Sequence, residues 1–297
     1  MKKIIVLMIA LLMTMSAFSQ NNSLIPEIDL GEAEFSLNGY ASFFNESDGF
    51  DTWNFCNLRL RPEIKFNDIT FFSEVNLEDE KNWLRILQLQ YNFNDNWCIR
   101  GGRIFAAAAY FSPSPFKLET VEYPQMRFTS SYVWGLQIDG TFGEGWRLLA
   151  DVSARSGVSF DDDKNWEYPE MSARLQKTIG NFSAAYSMQI SEDYQRFGFD
   201  ETWRINKDLY FRQGNYFEEN DDLGSYFLSV YRLFDWLELH SQFEYRKINN
   251  KPNADVILTN GFRIFSKKDL LSFTVDFEST LKGEKDDRVL GRLQFRF

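Results

Sequence analysis

The chain has 297 residues, a formal net charge of −11 and an aromatic content of 17%. The negative net charge argues against a nucleic-acid partner, because nucleic-acid binding needs a positively charged surface. After the first twenty residues no apolar run reaches the roughly 18 residues of a membrane helix, so the chain can span a membrane only as a closed β-barrel.

The first residues have the layout of a secretory signal peptide. Two lysines, Lys2 and Lys3, precede an apolar run from Ile4 to Leu12, and Ala17-Phe18-Ser19 offers a small-x-small cleavage site. A retained membrane anchor is the alternative, but the apolar run is short for one. We therefore expect an exported protein.

Alternating apolar and polar residues then recur with the two-residue period of a β-strand. About sixteen such segments are predicted, each of roughly 9 to 14 residues, which is long enough to cross a bilayer at a tilt. They cover residues 34–43, 53–66, 69–78, 83–93, 97–105, 131–142, 146–155, 167–178, 181–190, 195–205, 209–217, 224–234, 236–246, 254–265, 269–279 and 288–297.

This pattern predicts an all-β fold, a transmembrane antiparallel β-barrel. The expected organisation is a signal peptide at residues 1–19, a short periplasmic segment at 20–33 and the barrel at 34–297. An even number of strands returns the C-terminus to the side of the N-terminus.

The connections alternate between tight turns, such as Asn67-Asp68 and Ile179-Gly180, and longer, more acidic loops, such as Ser156 to Trp166. Short periplasmic turns and longer outer loops are typical of outer-membrane barrels. Aromatic residues flank the tight turns and predict a girdle at one membrane interface. Its predicted members are Phe66, Phe93, Trp97, Phe142, Trp146, Phe182, Trp203, Phe234, Trp236 and Phe265.

The longest connection, Ala106 to Ser130, follows the fifth strand, and its prolines exclude a regular ladder. A long outer loop at this place resembles the third loop of general porins. The resemblance implies that the segment folds into the lumen and places Lys117, Glu119, Glu122 and Arg127 near a constriction. A loop lying over the mouth, or at a subunit contact, is the alternative.

Assigning the apolar residues to lipid places many ionisable residues inside the barrel, where they need water. A charged, hydrated lumen of sixteen strands is wide enough to be a channel. The predicted inward residues include Arg59, Arg61, Glu63, Lys65, Glu74, Asp139, Asp151, Arg174, Arg204, Arg212, Glu238, His240, Glu244, Arg263, Asp276, Glu278, Arg288, Arg292 and Arg296.

The last strand is expected to close the barrel against the first, which would place Arg288, Arg292 and Arg296 across a polar strand from Arg59 and Arg61. Guanidinium groups bind phosphate, sulfate and carboxylate well. The alternative is ion pairing along the wall, with Arg61 opposite Glu74 and Arg288 opposite Glu278. The candidate solute-binding residues are Arg59, Arg61, Arg174, Arg288, Arg292, Arg296, Lys117 and Arg127.

Two segments carry a family resemblance: Trp97 to Phe105, W-C-I-R-G-G-R-I-F, and Tyr132 to Phe142, Y-V-W-G-L-Q-I-D-G-T-F. Together with the strand count they resemble the phosphate-selective porin O and P group. The terminal Phe297 resembles the sorting signal that the barrel-assembly machinery recognises. The resemblance implies a trimeric outer-membrane channel, without a cofactor, for small anions such as phosphate or other small solutes.

Two other functions stay open. One is a closed structural or adhesive barrel. The other is a barrel hydrolase, which would need an acid-base residue. His240 is the one histidine of the chain, and the neighbouring Ser241 falls on the opposite face of the strand. We therefore expect a protein without enzymatic activity.

Overall fold

The structure is a computed structural model that describes residues 33–46, 54–77, 84–108, 132–154, 169–192, 195–219, 222–248, 254–266, 270–283 and 287–296. Within these ranges the chain forms sixteen strands. Each strand pairs antiparallel with its neighbours in sequence, and β1 also pairs with β16, so the sheet closes into a barrel. None of the described residues belongs to a helix that could span a membrane.

The strands agree with the predicted segments to within a few residues at each end. They are β1 Glu34–Glu46, β2 Asn54–Phe66, β3 Ile69–Asn76, β4 Leu84–Asn94, β5 Trp97–Phe105, β6 Tyr132–Phe142, β7 Trp146–Ser153, β8 Glu170–Ile179, β9 Phe182–Ile190, β10 Gln195–Arg204, β11 Leu209–Glu218, β12 Leu223–Phe234, β13 Leu237–Lys247, β14 Asp255–Phe265, β15 Leu271–Lys282 and β16 Arg288–Arg296. Closure pairs both terminal strands and so leaves no open sheet edge.

The outer surface of the barrel is apolar. Large side chains such as Leu136, Met171, Tyr186 and Phe277 point outward and are more than half exposed. In water such a surface would cause aggregation, whereas in a bilayer it is the band that contacts lipid. The alternation in the sequence therefore separates a lipid face from a lumen face, as predicted.

The predicted aromatic girdle is present at the tight turns, with one exception. The exposed members pack in pairs, such as Phe142 with Trp146 at 6.2 Å and Phe234 with Trp236 at 5.5 Å between ring centroids. Phe265 was wrongly assigned to the girdle, because it lies on the lumen face and is 7% exposed. It shares the parity of the inward residue Arg263, and strand parity decides the face.

The chain turns into the lumen after β5. Ala106, Ala107 and Ala108 are almost fully buried. The N–H of Ala107 donates to Asp151 Oδ2 on β7 at 2.5 Å, and the N–H of Ala108 donates to Ser172 Oγ on β8 at 3.2 Å. The remainder of the connection lies outside the described residues, so its inward folding and the places of Lys117 and Arg127 stay predictions.

Candidate functional site

Successive connections lie at opposite ends of the barrel, and we name the end that carries the two- and three-residue turns the turn end and the opposite end the loop end. The tight turns include residues 67–68, 95–96, 143–145, 180–181, 205–208 and 235–236. Gly143, Gly145 and Gly180 have positive φ angles there, which glycine adopts without strain. Short turns face the periplasm in outer-membrane barrels, so the turn end corresponds to the periplasmic mouth.

The first charged cluster of the lumen wall, named triad one, is Arg59, Glu74 and Arg61. Glu74 Oε1 accepts a hydrogen bond from Arg59 Nη1 at 2.9 Å, and Glu74 Oε2 accepts one from Arg61 Nε at 2.5 Å. Both guanidiniums lie over the ring of Tyr40, with Cζ-to-centroid distances of 5.3 and 5.6 Å. The Glu74 side chain is fully buried, and its desolvation is offset because both of its oxygens are paired.

Triad two joins three neighbouring strands near the turn end. Asp139 on β6 accepts from Arg100 Nη2 of β5 at 2.7 Å and from Arg147 Nε and Nη2 of β7 at 2.9 and 2.8 Å. Arg100 also donates to Gln90 and Gln137. Asp139 was predicted to face inward, whereas Arg100 and Arg147 were not among the predicted site residues.

Triad three lies on β12, β13 and β14, also near the turn end. Glu238 accepts from Arg232 Nη2 at 2.8 Å and from Arg263 Nη2 at 2.5 Å. These residues are direct cross-strand partners, Arg232 with Glu238 and Glu238 with Arg263. Both guanidiniums lie over the ring of Phe265, which explains why this aromatic side chain is buried inside the barrel.

Each triad combines two guanidiniums with one carboxylate and therefore carries one net positive charge. In each one, the two arginines differ in exposure. The side chains of Arg61, Arg147 and Arg232 are 24%, 47% and 40% exposed, against 8% for Arg59, 19% for Arg100 and 17% for Arg263. The more exposed arginine of each triad presents its charge to the lumen.

Two further arginines, Arg204 and Arg212, stand at the turn end of β10 and β11. Their Cζ atoms lie 5.6 and 5.7 Å from the ring centroid of Tyr210. Nearby, Arg174 forms a bidentate ion pair with Asp200, donating to Oδ1 at 2.7 Å, and it also donates to Ser187. The turn end of the lumen is therefore rich in guanidinium groups.

Ion pairs also occur toward the loop end. Arg196 pairs with Glu218 at 3.1 Å, Arg246 with Asp255 at 2.6 Å and Arg288 with Glu278 at 2.8 Å. Carboxylates at mid-depth and toward the loop end also accept hydrogen bonds from neutral side chains: Asp151 from Ser172 at 2.7 Å, and Glu170 from Gln189.

His240 on β13 is part of the wall. Its Nε2 lies 2.6 Å from Asp276 Oδ1 on β15, and both side chains are 1% exposed. The contact crosses β14 at Gly261, which is paired with both residues. A Cβ at Gly261 would lie 2.4 Å from His240 Nε2 and 2.4 Å from Asp276 Oδ1, so only glycine leaves room for this bridge.

The seam, where the last strand closes the barrel against the first, has the predicted strand neighbours. Its arginines are paired differently from the predicted solute-binding arrangement. β1 lies between β16 and β2, and the predicted pairs Arg61 with Glu74 and Arg288 with Glu278 are both present. The seam is thus an ion-paired wall more than an open ladder of guanidiniums. Arg292 is 4% exposed opposite Thr274 of β15, and Arg296 is exposed at the turn end opposite Tyr40.

Among the residues that the structure describes, no group of three or more His, Cys, Asp or Glu side chains is placed to hold a metal ion. Cys98 is a free, buried thiol on the lumen face of β5.

A closed sixteen-stranded barrel with an apolar, aromatic exterior and a charged interior is an outer-membrane β-barrel. No protein-family model matches the chain, and no curated protein matches its sequence. Solved structures of outer-membrane proteins share the fold.

Three of these structures show the extent of the similarity. A loop-deletion mutant of OmpT, an outer membrane protein of Vibrio cholerae, is 11% identical, with a TM-score of 0.67 over 90% of this chain and 100% of that chain. A mutant of the Rhodopseudomonas blastica porin is 14% identical, with a TM-score of 0.66 over 89% and 100%. The outer membrane channel DcaP of Acinetobacter baumannii is 12% identical, with a TM-score of 0.61 over 89% and 97%. At these identities the similarity establishes the fold.

Proposed function

We propose that the protein is an outer-membrane porin through which small hydrophilic solutes diffuse, with a preference for solutes that carry an anionic group such as phosphate. The observation that carries the proposal is the two-to-one ratio of arginine to carboxylate in the three triads. Two structures of this fold are named as a porin and as an outer membrane channel, which agrees with the proposal.

The anion preference follows from the charge that each triad presents. A guanidinium stays protonated at every physiological pH, and one carboxylate neutralises only one of two. The more exposed arginine of each of these triads, Arg147 in triad two and Arg232 in triad three, has 47% and 40% of its side chain exposed. A passing phosphate, sulfate or carboxylate group therefore meets a positive wall in spite of the negative net charge of the whole chain.

The rest of the proposal concerns assembly and chemistry. It includes homotrimer formation, targeting by the barrel-assembly machinery through Phe297, passage of solutes without an enzymatic reaction, and no cofactor. The side chain of His240 is buried in the barrel wall against Asp276, which favours a structural role for this histidine. The resemblance to the phosphate-selective porin O and P group supports the trimer and the anion preference.

A closed structural barrel is the second candidate, and one observation favours it. Several lumen-face side chains are almost completely buried, including Glu74, Glu170, Gln189, Thr274 and Asp276. Charged groups such as Glu74 and Asp276 are thus paired with other wall residues, contrary to the expectation that each charged group is hydrated. Conductance distinguishes this candidate from the porin.

The test is planar-bilayer conductance of the refolded protein, with reversal potentials measured in a salt gradient. Wild type should conduct and prefer anions. The variants Arg147→Gln/Arg232→Gln and Arg59→Ala/Arg61→Ala/Arg292→Ala should lower the anion-to-cation permeability ratio. The matched control is Lys177→Gln, which removes a positive charge at the turn end but outside the lumen, where Lys177 lies over Trp146.

Cation preference in the wild type would refute the anion preference and keep the porin. The absence of any conductance would refute the porin and favour the closed barrel. Native mass measurement in detergent tests the trimer separately.

A further inference from the structure

The lipid face of the barrel has a polar sector on its last strands. At mid-depth the outward positions of β4 to β9 hold apolar residues such as Leu89, Leu136 and Leu175, all of them exposed. On β10 to β14 the same face also carries a carboxylate, amides and hydroxyls. These polar outward residues are Glu201 on β10, Gln213 and Asn215 on β11, Ser225 and Ser229 on β12, Ser241 on β13 and Asn260 on β14.

Strand parity places these side chains outside the barrel. Glu201 lies between Phe199 and Trp203 in the outward series of β10, and Trp203 is 43% exposed. On β14, Asn260 is exposed, whereas the preceding Thr259 faces the lumen and is 3% exposed. Successive side chains of a strand point to opposite faces, so the polar sector shares the face of the lipid-contacting residues.

The sector consists of two patches of cross-strand neighbours. Gln213 Nε2 donates to Glu201 Oε2 at 2.6 Å, and the two residues are directly paired between β10 and β11. Ser241 is paired with Asn260 between β13 and β14, and with Ser229 of β12 on its other side. The first patch comprises Glu201, Gln213 and Asn215, and the second patch comprises Ser241 and Asn260, with β12 between them.

Both patches reach the middle of the membrane. Asn215 lies six residues from Leu209 and Asn260 lies five residues from Phe265, the turn-end residues of their strands. At about 3.3 Å per residue and a strand tilt of about 40°, the depth is roughly 13 to 15 Å within an apolar band of about 25 Å. Lipid tails form no hydrogen bonds, so an amide at this depth is unfavourable unless a protein group covers it.

We propose that the polar sector is the contact surface between copies of this chain, with the first patch of one copy against the second patch of the next in a three-fold ring. The inference rests on the homotrimer of the proposed function and names its surface. Copies inserted in the same orientation present equal depths to each other, so Asn215 of one copy meets Asn260 of the next. An amide is both a donor and an acceptor, so the two side chains can bond each other.

The separation of the two patches fits three-fold symmetry. In such a ring the two contact surfaces of each copy are turned by about 60° from each other, and sixteen strands divide the circumference into steps of about 22°. The two surfaces are then centred about three strands apart, which is the separation of β10 and β11 from β13 and β14. The small residues Ser225 and Ser229 of β12 would face the symmetry axis.

The first experiment cross-links the two patches in lipid vesicles, in a Cys56→Ser/Cys98→Ser background. Asn215→Cys/Asn260→Cys treated with a bismaleimide should give covalent trimers on a denaturing gel. Either cysteine alone should give monomers, because a heterologous contact does not bring a residue against its own copy. The control Leu89→Cys/Leu136→Cys lies at the same depth on the apolar side and should also give monomers.

The second experiment measures the monomer–trimer equilibrium in detergent by sedimentation. Asn215→Leu/Asn260→Leu removes the polar contact and keeps a lipid-compatible surface, so the barrel should still fold. A polar contact between membrane-embedded segments changes association about threefold, so loss of three contacts should raise the dissociation constant of the trimer roughly thirtyfold. Leu89→Val/Leu136→Val should leave it unchanged.

The outcomes separate this contact from the porin. Dimers formed by a single-cysteine variant would overturn the three-fold arrangement, and trimers formed by the control pair alone would overturn the choice of surface. Conductance of the same vesicles is measured independently. Cross-linked trimers that do not conduct would support this contact and refute the porin, whereas conducting monomers would refute this contact and keep the porin.

Discussion

Glu74→Gln is the most informative single substitution, because Glu74 is the one carboxylate of triad one and bonds both Arg59 and Arg61. The change keeps the size of the side chain and removes its charge. Two buried or half-buried guanidiniums then stand over Tyr40 without the anion that compensates them. Breaking a buried ion pair in this way costs about 3 kcal/mol of folding stability.

The substitution also raises the charge of the lumen wall by one unit. At about 6 Å in water, a unit charge changes the energy of a passing monovalent ion by roughly 0.7 kcal/mol, and salt near 0.15 M reduces this to about 0.3 kcal/mol. The anion is stabilised by this amount and the cation is destabilised by the same amount. Glu74→Gln should therefore raise the anion-to-cation permeability ratio about threefold in reversal-potential measurements.

Arg61→Gln is the matched variant with the opposite sign. It lowers the wall charge by one unit and should decrease the permeability ratio by a similar factor. The double variant should return close to the wild-type ratio. If the two single variants shift the ratio in the same direction, the assignment of triad one to the lumen wall is wrong. If Glu74→Gln unfolds in urea at the wild-type midpoint, the stabilising role of the buried ion pairs of Glu74 is contradicted.

Two other predictions test the wall and the exterior. Gly261→Ala places a Cβ between His240 and Asp276 and should lower the free energy of unfolding by about 2 kcal/mol in urea titrations, because it breaks the buried contact between these two polar groups. Unchanged stability would contradict the bridge. Leu136→Arg puts a charge on the lipid face and should cost about 2–4 kcal/mol of folding in vesicles. Leu136→Met, which keeps the lipid face apolar, should cost clearly less, and equal costs would contradict the assignment of Leu136 to that face.

Alternation of apolar and polar residues determined the strands, because a strand turns successive side chains to opposite faces. The tight turn at residues 67–68 then fixed the register of β2 and β3, and with it the pair Arg61 with Glu74. Antiparallel pairing of the last two strands placed Arg288 opposite Glu278. Closure of β1 on β16 also follows from the sequence, since an even set of antiparallel strands in lipid cannot keep an open edge.

The aromatic girdle shows where local rules conflict. Phe265 flanks a tight turn, as the girdle members do, but it has the parity of Arg263 and faces the lumen. Parity is a geometric property of the backbone, whereas the preference of aromatic residues for the interface is a tendency. The backbone therefore decides the face, and the arginines stabilise the ring there.

The partners of the charged side chains were decided by the tertiary structure. Alternation predicted that Asp139 faces inward, but its meeting with Arg100 and Arg147 depends on the stagger of three strands and on the reach of each side chain. Likewise, the sequence contains His240, Gly261 and Asp276 on three strands, yet only the register of β13, β14 and β15 brings the two polar groups together across the glycine. The sequence alone thus predicted many of the residues that face the lumen, because alternation follows from the backbone. The stagger of the closed barrel determined which of them bind one another.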